Sequence, residues 1–403
     1  MKIAYVTMQF PVASEAFAAV EIRAFRRLGA EVTVLTYRAA AAGAGAMLAE
    51  RGLETLQVDH GGPAAGLRGL LQMARKPTDS LWLIAVISRH CWRRPLQLLK
   101  ALALVPRSLD LLHRLDTLRP DVVHLFWGHY PSLIGLLVRR RLPGTVVSLF
   151  LGAYDLEQRF ALSRLLAHRA HVLLTHARAN LPALAALGLP SERVRVSHRG
   201  IEISTSLPAP AKTRGLMVVA ERLVPQKRTA DILRLFAEVT KALSHAQLRV
   251  LGSGPEAAAL KALAAQLGIE RQVTFAGHVA HAEVFRHLAE AEVALTLSQS
   301  GSERLPNAIK EAMLQRCLCL STRTAGIEEL IDDGKTGLLV DGGDPAGAAR
   351  RLLDVLSDPA AVARIGRQAQ AQIVAHFDVD RLMAERLQIW SALCQARSPE
   401  VAA

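Results

Sequence analysis

"STSLPAPAKTRGLMVVAERLVPQKR", residues 204–228, ends one pattern and starts another. Its first part, 204–214, has two prolines, small residues and no apolar period, which marks a linker. "GLMVVAE" then opens a strand. Upstream, "KIAYVTM" reads as a first strand, followed by a helix from about Ala13 to Leu28, a stop at Gly29 and the strand "EVTVLTY". "AAAAGAGAM" reads as a break. Short strands follow at "ETLQVD", "DVVHLFW", "TVVSLFL", "HVLLTH" and "RVRVSHRG". Downstream, strands alternate with helices expected over 228–243, 255–267, 281–290, 306–315, 326–332 and 345–356. Short Val/Leu/Ile runs alternating with helices predict parallel sheets covered on both faces. The fold class is therefore α/β, with two doubly wound, Rossmann-like domains facing across a cleft. The boundaries fall at 1–205, linker 206–214, 215–375, and a C-terminal helical stretch 376–403 that needs a partner and is expected to return to the first domain.

The bulk numbers agree with two globular domains. The chain has 403 residues, 51% of them hydrophobic, and no low-complexity tract. Residues 1–205 hold 26 Lys/Arg against 14 Asp/Glu, a balance of +12 out of the total of +13. Much of that lies in an insertion at about 66–119, with ten Lys/Arg, three Asp and two Trp among leucines at helical spacing. Two readings compete there: amphipathic helices resting on an anionic membrane surface, or ordinary helices lining the first sheet. Cys91, Cys317, Cys319 and Cys394 form no C-x-x-C pair, so neither a disulfide framework nor a zinc site is expected. The longest apolar run of the arginine-rich region, "LWLIAVI", is far short of the roughly 20 residues a spanning helix needs. A cytoplasmic protein is expected, peripheral on the inner face of the cytoplasmic membrane where the basic insertion meets lipid. Few aromatics and no zinc fingers argue against nucleic acid as a partner.

Ligands of doubly wound sheets bind at the strands' carboxyl ends. Arg222 and Lys227 follow the strand "LMVVA", where two cations before a helix suit a diphosphate. In "SGSERLPNAIKEAM", 300–313, Pro306 fits the first helical turn, and the free amides near 304–307 carry the positive end of the helix dipole. Glu303 and Glu311 flank these amides. A carboxylate repels phosphate but accepts from hydroxyls, so the pair suits a ligand with hydroxyls on both sides of its phosphates. "LGSGPE", 251–256, lacks the third glycine of a dinucleotide fingerprint; it reads as a tight turn that lets a ligand approach the backbone at Gly252.

In order along the chain, Arg222 with Lys227, "LGSGPE", "VTFAGHV", "SERLPNAIKEAM" and "GIEELIDDGKTGLLV" resemble the retaining glycosyltransferases of family 4, which have the GT-B fold. The resemblance spans about 216–345. "FPVASEAFAAVEIRAFRRLGAEVTVLT" and "VSHRGIEI" are similar to exopolysaccharide and lipopolysaccharide members. By position, the resemblance implies that Arg222 and Lys227 hold the donor diphosphate and steady the leaving group, and that Glu303 contacts the donor sugar. Glu311 would bind the ribose, and Leu305, Pro306 and Asn307 would offer amides to phosphate, with Arg304 standing where relatives have Gly or Ser. The base would stack near Gly277, His278 and Val279. "DVVHLFWGHYPS" is similar to the segment presenting a catalytic His; His129, nearer the loop, is favoured over His124, and Asp155 in "FLGAYDLE" joins them on the acceptor side.

The resemblance implies transfer of a hexose, with retention, from a UDP- or GDP-sugar to a saccharide or lipid-linked saccharide, with no cofactor and no metal. Two alternatives stand beside it: a GT-B epimerase acting on its sugar nucleotide, and a non-catalytic basic adaptor for membrane or nucleic acid.

Overall fold

Alternating Val, Leu and Ile positions, apolar on both faces, assemble two parallel sheets. The computed structural model describes residues 1–12, 16–189, 191–203, 211–299 and 304–397. The chain divides into two units, the first comprising Met1–Gly200 and the chain from Val379, the second Ile201–Asp378.

The first unit's strands are β1 (Lys2–Thr7), β2 (Glu31–Thr36), β3 (Gln57–Asp59), β4 (Val122–Leu125), β5 (Val146–Phe150), β6 (Val172–Thr175) and β7 (Val194–Val196). They form one parallel sheet in the order β3-β2-β1-β4-β5-β6-β7. Alternate residues feed two cores. Ala4, Val6, Val123 and Leu125 face one, and Ile3, Tyr5, Val122 and Phe126 the other.

The second unit's strands are β8 (Thr213–Ala220), β9 (Gln247–Leu251), β10 (Val273–Gly277), β11 (Ala291–Thr296), β12 (Leu318–Thr322) and β13 (Leu338–Val340). Their order is β10-β9-β8-β11-β12-β13, again all parallel. Each sheet reverses its order of addition once, between β1 and β4 and between β8 and β11. Such a switch point leaves a crevice at the carboxyl ends of the strands.

Several local expectations need revision. The break at 39–47 contains the start of a helix, Ala44–Glu50. Thr213 and Arg214, read as linker, already belong to β8. Residues 326–332 form only a single 3-10 turn, Ile327–Glu329, because Gly326 enters it at φ +97° and Ile327, Leu330 and Ile331 are all buried.

The stretch 66–119 folds into four helices, Pro63–Arg75, Pro77–Cys91, Pro95–Ala103 and Val105–Leu118, each with proline in its first two positions, where the missing N–H costs nothing. Val105–Leu118 lines the sheet through Leu109, Leu112 and Leu115. Three of the arginines there serve structure. Arg107 is buried, donates to the Thr36 carbonyl and pairs with Asp59 and Asp110; Arg68 and Arg114 pair with Asp110 and Asp59. Helix Pro95–Ala103 is different, since only Ala101 is buried.

The last helix, Val379–Gln395, packs on helix Ala16–Arg27 of the first unit. Trp390 stacks on Phe25 with ring centroids 5.3 Å apart. Arg386 is buried, pairs with Glu21 at 2.8 Å, and donates to Ser197 Oγ at 2.8 Å. Among the described residues no helix is long and apolar enough to cross a membrane.

Candidate active site

The second unit gathers its candidates along one sheet edge. Arg222 and Lys227 follow β8, Gly252 follows β9, Gly277 ends β10 with His278 and Val279 just after it, and Arg304–Asn307 follow β11. β8 and β11 flank the switch point. Backbone hydrogen bonds stitch these four loops together: Gly252 N–H to the Gly277 carbonyl (2.7 Å), Leu223 N–H to the Ser253 carbonyl (3.0 Å), and Gln299 N–H to the Gln226 carbonyl (2.8 Å). Each loop therefore fixes its neighbour.

Gly252 takes part in this stitching. A Cβ there would lie 1.8 Å from the Glu221 carbonyl oxygen, and one at Gly254 would lie 2.2 Å from that of Leu223. What approaches the glycine backbone is the loop that carries Arg222. Arg222 is exposed, and its guanidinium has no hydrogen-bond or ion-pair partner among the described residues. Lys227 closes a single 3-10 turn, Pro225–Lys227, and Arg228 beside it takes φ +55° to start helix Thr229–Ala242.

Pro306 caps helix Asn307–Leu314 from outside, at ψ 129°, and is not its first residue. The Lys310 N–H already reaches the Pro306 carbonyl, so within the helix the amides that lack an intrahelical acceptor are those of residues 307–309. Leu305 and Pro306 are buried. Asn307 accepts from Lys310 Nζ at 3.0 Å, and this lysine is itself buried, over the Phe377 ring. Glu311 is buried on the same helix and meets His281 Nε2 at 2.9 Å. Glu303 lies outside the described residues. Lys310 and His281 were missed in the sequence. The i,i+3 spacing of Asn307 and Lys310 was a usable signal, whereas nothing local joins His281 to Glu311, thirty residues away.

The first unit separates its candidates. His124 is a core residue, not an acceptor-side group. It sits in β4 opposite Tyr5 and Ser148, fully buried, with Nδ1 3.1 Å from Ser148 Oγ and its ring against Trp390. Burial and the Arg386 charge hold it neutral. His129 lies beyond the end of β4, half-buried beside Phe160, and burial lowers its pKa to about 4. Asp155 is held by backbone amides. Oδ1 accepts from the amides of Gly128 and His129 and Oδ2 from that of Gly152, tying together the loops after β4 and β5. Burial raises its pKa to about 6 despite these bonds. Nearby, Arg199 lies among four rings at the same sheet edge, 4.0 Å from the centroid of Phe17 and 4.7 Å from that of Trp127. It stands in the quoted "VSHRGIEI", but its aromatic cage is assembled from three distant segments.

Residues 205–372 match the family described as "Glycosyl transferases group 1". The chain carries a group 1 glycosyltransferase domain. It is 31% identical to the N-acetyl-alpha-D-glucosaminyl L-malate synthase of Bacillus anthracis, over 40% of each chain. A longer match, 26% identical, covers 96% of this chain and 100% of the putative colanic acid biosynthesis glycosyltransferase WcaL of Escherichia coli K12. Among solved structures, Anabaena Alr3699/HepE in complex with UDP superposes with a TM-score of 0.74 at 17% identity, covering 97% of this chain and 100% of that one. The two doubly wound units are those of the GT-B fold. Among the described residues no group of three His, Cys, Asp or Glu side chains could hold a metal ion.

Proposed function

We propose that the protein transfers a hexose, with retention, from a nucleoside-diphosphate sugar to a saccharide acceptor in cell-surface polysaccharide or glycolipid assembly. One observation carries the reading: the loops after β8, β9, β10 and β11 are hydrogen-bonded to one another at the switch point, so Arg222, Lys227 and the 307–309 amides sit on a shared edge. As the anomeric bond breaks, negative charge grows on the leaving diphosphate. Cations and helix amides held in place beforehand stabilise that charge without reorganising. Glu311 takes the ribose hydroxyls and Glu303 those of the donor sugar. The UDP complex of HepE and the colanic acid role of WcaL favour a sugar nucleotide and a polysaccharide product. His129, uncharged at neutral pH, serves the acceptor side from the first unit, and the exposed leucines and Trp92 of 66–119 suit an acceptor borne on lipid at an anionic membrane surface.

The test is a thermal-shift screen with UDP- and GDP-sugars, followed by product analysis with and without acceptor. Wild type should be stabilised by one sugar nucleotide, and Lys227→Ala should lose about 10²–10³ in transfer rate. Transfer by Lys227→Ala at the wild-type rate would overturn the assignment, and isomerised sugar nucleotide without acceptor would favour an epimerase.

A further inference from the structure

We infer that a cavity in the first unit binds the phosphate or diphosphate head of an anionic lipid. It has a volume of about 580 Å³ and is bordered by His90, Arg93, Arg94, Arg159 and Arg164. The four arginines are exposed and concentrate positive charge around one hollow, a field that attracts an anion. Among the described residues, the guanidiniums of Arg93, Arg159 and Arg164 have no carboxylate partner; Arg93 rests over the Trp92 ring, while Arg94 donates to the carbonyls of Gln158 and Arg159. The one acid of the lining, Asp155, already accepts three backbone amides with its two oxygens. Arg159 is held at φ +48°, a left-handed conformation that disfavours any residue with a side chain.

Apart from Ser163 the remaining wall is apolar, with Leu156, Phe160 and Leu187. A surface recess that shares Arg94 and Arg159 continues outward past Pro95 and Leu96. There helix Pro95–Ala103 begins, and Trp92, Leu96 and Leu99 are each about two-thirds exposed, with Lys100 among them. A soluble phosphate needs the arginines but not this ridge. An amphiphile needs both, since the head neutralises the cavity and the ridge enters the acyl boundary beside it. This deepens the proposed transfer to a lipid-borne acceptor and rests on that reading.

Vesicle co-sedimentation at physiological salt tests it, comparing phosphatidylcholine vesicles with vesicles that also carry phosphatidic acid, a lipid phosphate monoester. Wild type should bind the second at least about tenfold better, since each basic residue near an anionic surface adds close to a fivefold factor. Arg159→Gln/Arg164→Gln and Trp92→Ser/Leu96→Ser should each lose about tenfold or more. Wild-type binding by either double variant or equal binding to both vesicles would overturn the inference, and a loss in the arginine pair with none in the Trp92/Leu96 pair would do so in favour of a soluble phosphate ligand. Both pairs belong to the first unit and the donor candidates on β8 and β11 to the second, so thermal stabilisation by a sugar nucleotide should survive in both. If wild type itself shows none, the donor reading fails while the vesicle result stands.

Discussion

His129 and Asp155 are neighbours that burial shifts in opposite senses, to about 4 and about 6. The folded histidine lies below its unfolded value of 6.5, so its contribution to stability is whole above pH 6.5 and is lost as pH falls through 4. Asp155 has the reverse sign. Its neutral form is favoured in the fold, so that contribution is whole below the unfolded value of 3.8 and is lost as pH rises through 6. The difference between wild type and His129→Gln isolates the first term. Between pH 7 and pH 4.5 wild type should lose about 2 kcal/mol more than the variant in urea unfolding. Equal losses would show that His129 charges freely in the fold. On the other unit, the bond from His281 to Glu311 fixes the carboxylate that we assign to ribose. A charge-assisted hydrogen bond contributes about 1.5–3 kcal/mol, so His281→Ala should raise the donor KM by about tenfold or more with kcat little changed. An unaltered KM would leave the bond with no part in donor binding.

At the scale of the element, the loop after β9 shows why two glycines stand in "LGSGPE". Gly252 has φ +149° and the Glu221 carbonyl where a Cβ would go, and Gly254 has that of Leu223; Gly268, just past helix Ala257–Gln266 and outside the motif, has φ +70° and nothing within 4 Å. Gly252→Ala and Gly268→Ala both adopt a disfavoured backbone, but only Gly252→Ala also pushes on the Arg222 loop. It should cost about 2–4 kcal/mol, and Gly268→Ala about 1 kcal/mol, by denaturant unfolding. Equal costs would mean that the loops slide apart freely. The same contrast marks what could be read in advance. Strands were legible because both faces are apolar and the runs are short. The edge bearing Arg222, Lys227 and the β11 loop followed from topology alone. The glycines' role was not legible, since the approaching backbone comes from another strand. Pro306 fits inside a helix start or just before it, and the choice rests on a ψ angle that no residue type dictates. His124 and His129 differ by five positions, yet one lies within a paired strand and the other beyond its end. Arg199's rings come from helix Ala16–Arg27 and from the ends of β4 and β5, so no local pattern announces them.

At the scale of the whole molecule, the chain leaves the first unit at Gly200 and re-enters it at Val379. The re-entering helix does more than cover a face. Arg386 is buried against Glu21 and Ser197, and Tyr5 Oη also reaches the Glu21 carboxylate. Removing one member of a buried pair strands the other charge, at a cost of about 3–5 kcal/mol. Arg386→Met keeps most of the side-chain volume and removes the charge, leaving Glu21 unpaired by it. The loss should register in the first unit, since Glu21, Tyr5, Ser197 and Trp390 all belong to that unit's core or edge. Hydrogen exchange separates this from a general loosening. Amides of β1, β4 and β5 should lose protection by two or more orders of magnitude, while those of β8, β11 and β12 keep theirs. Equal loss in both sheets would mean that the units unfold as one body. A double variant, Arg386→Met with Glu21→Gln, should recover part of the stability, because the stranded carboxylate rather than the missing contact carries most of the cost.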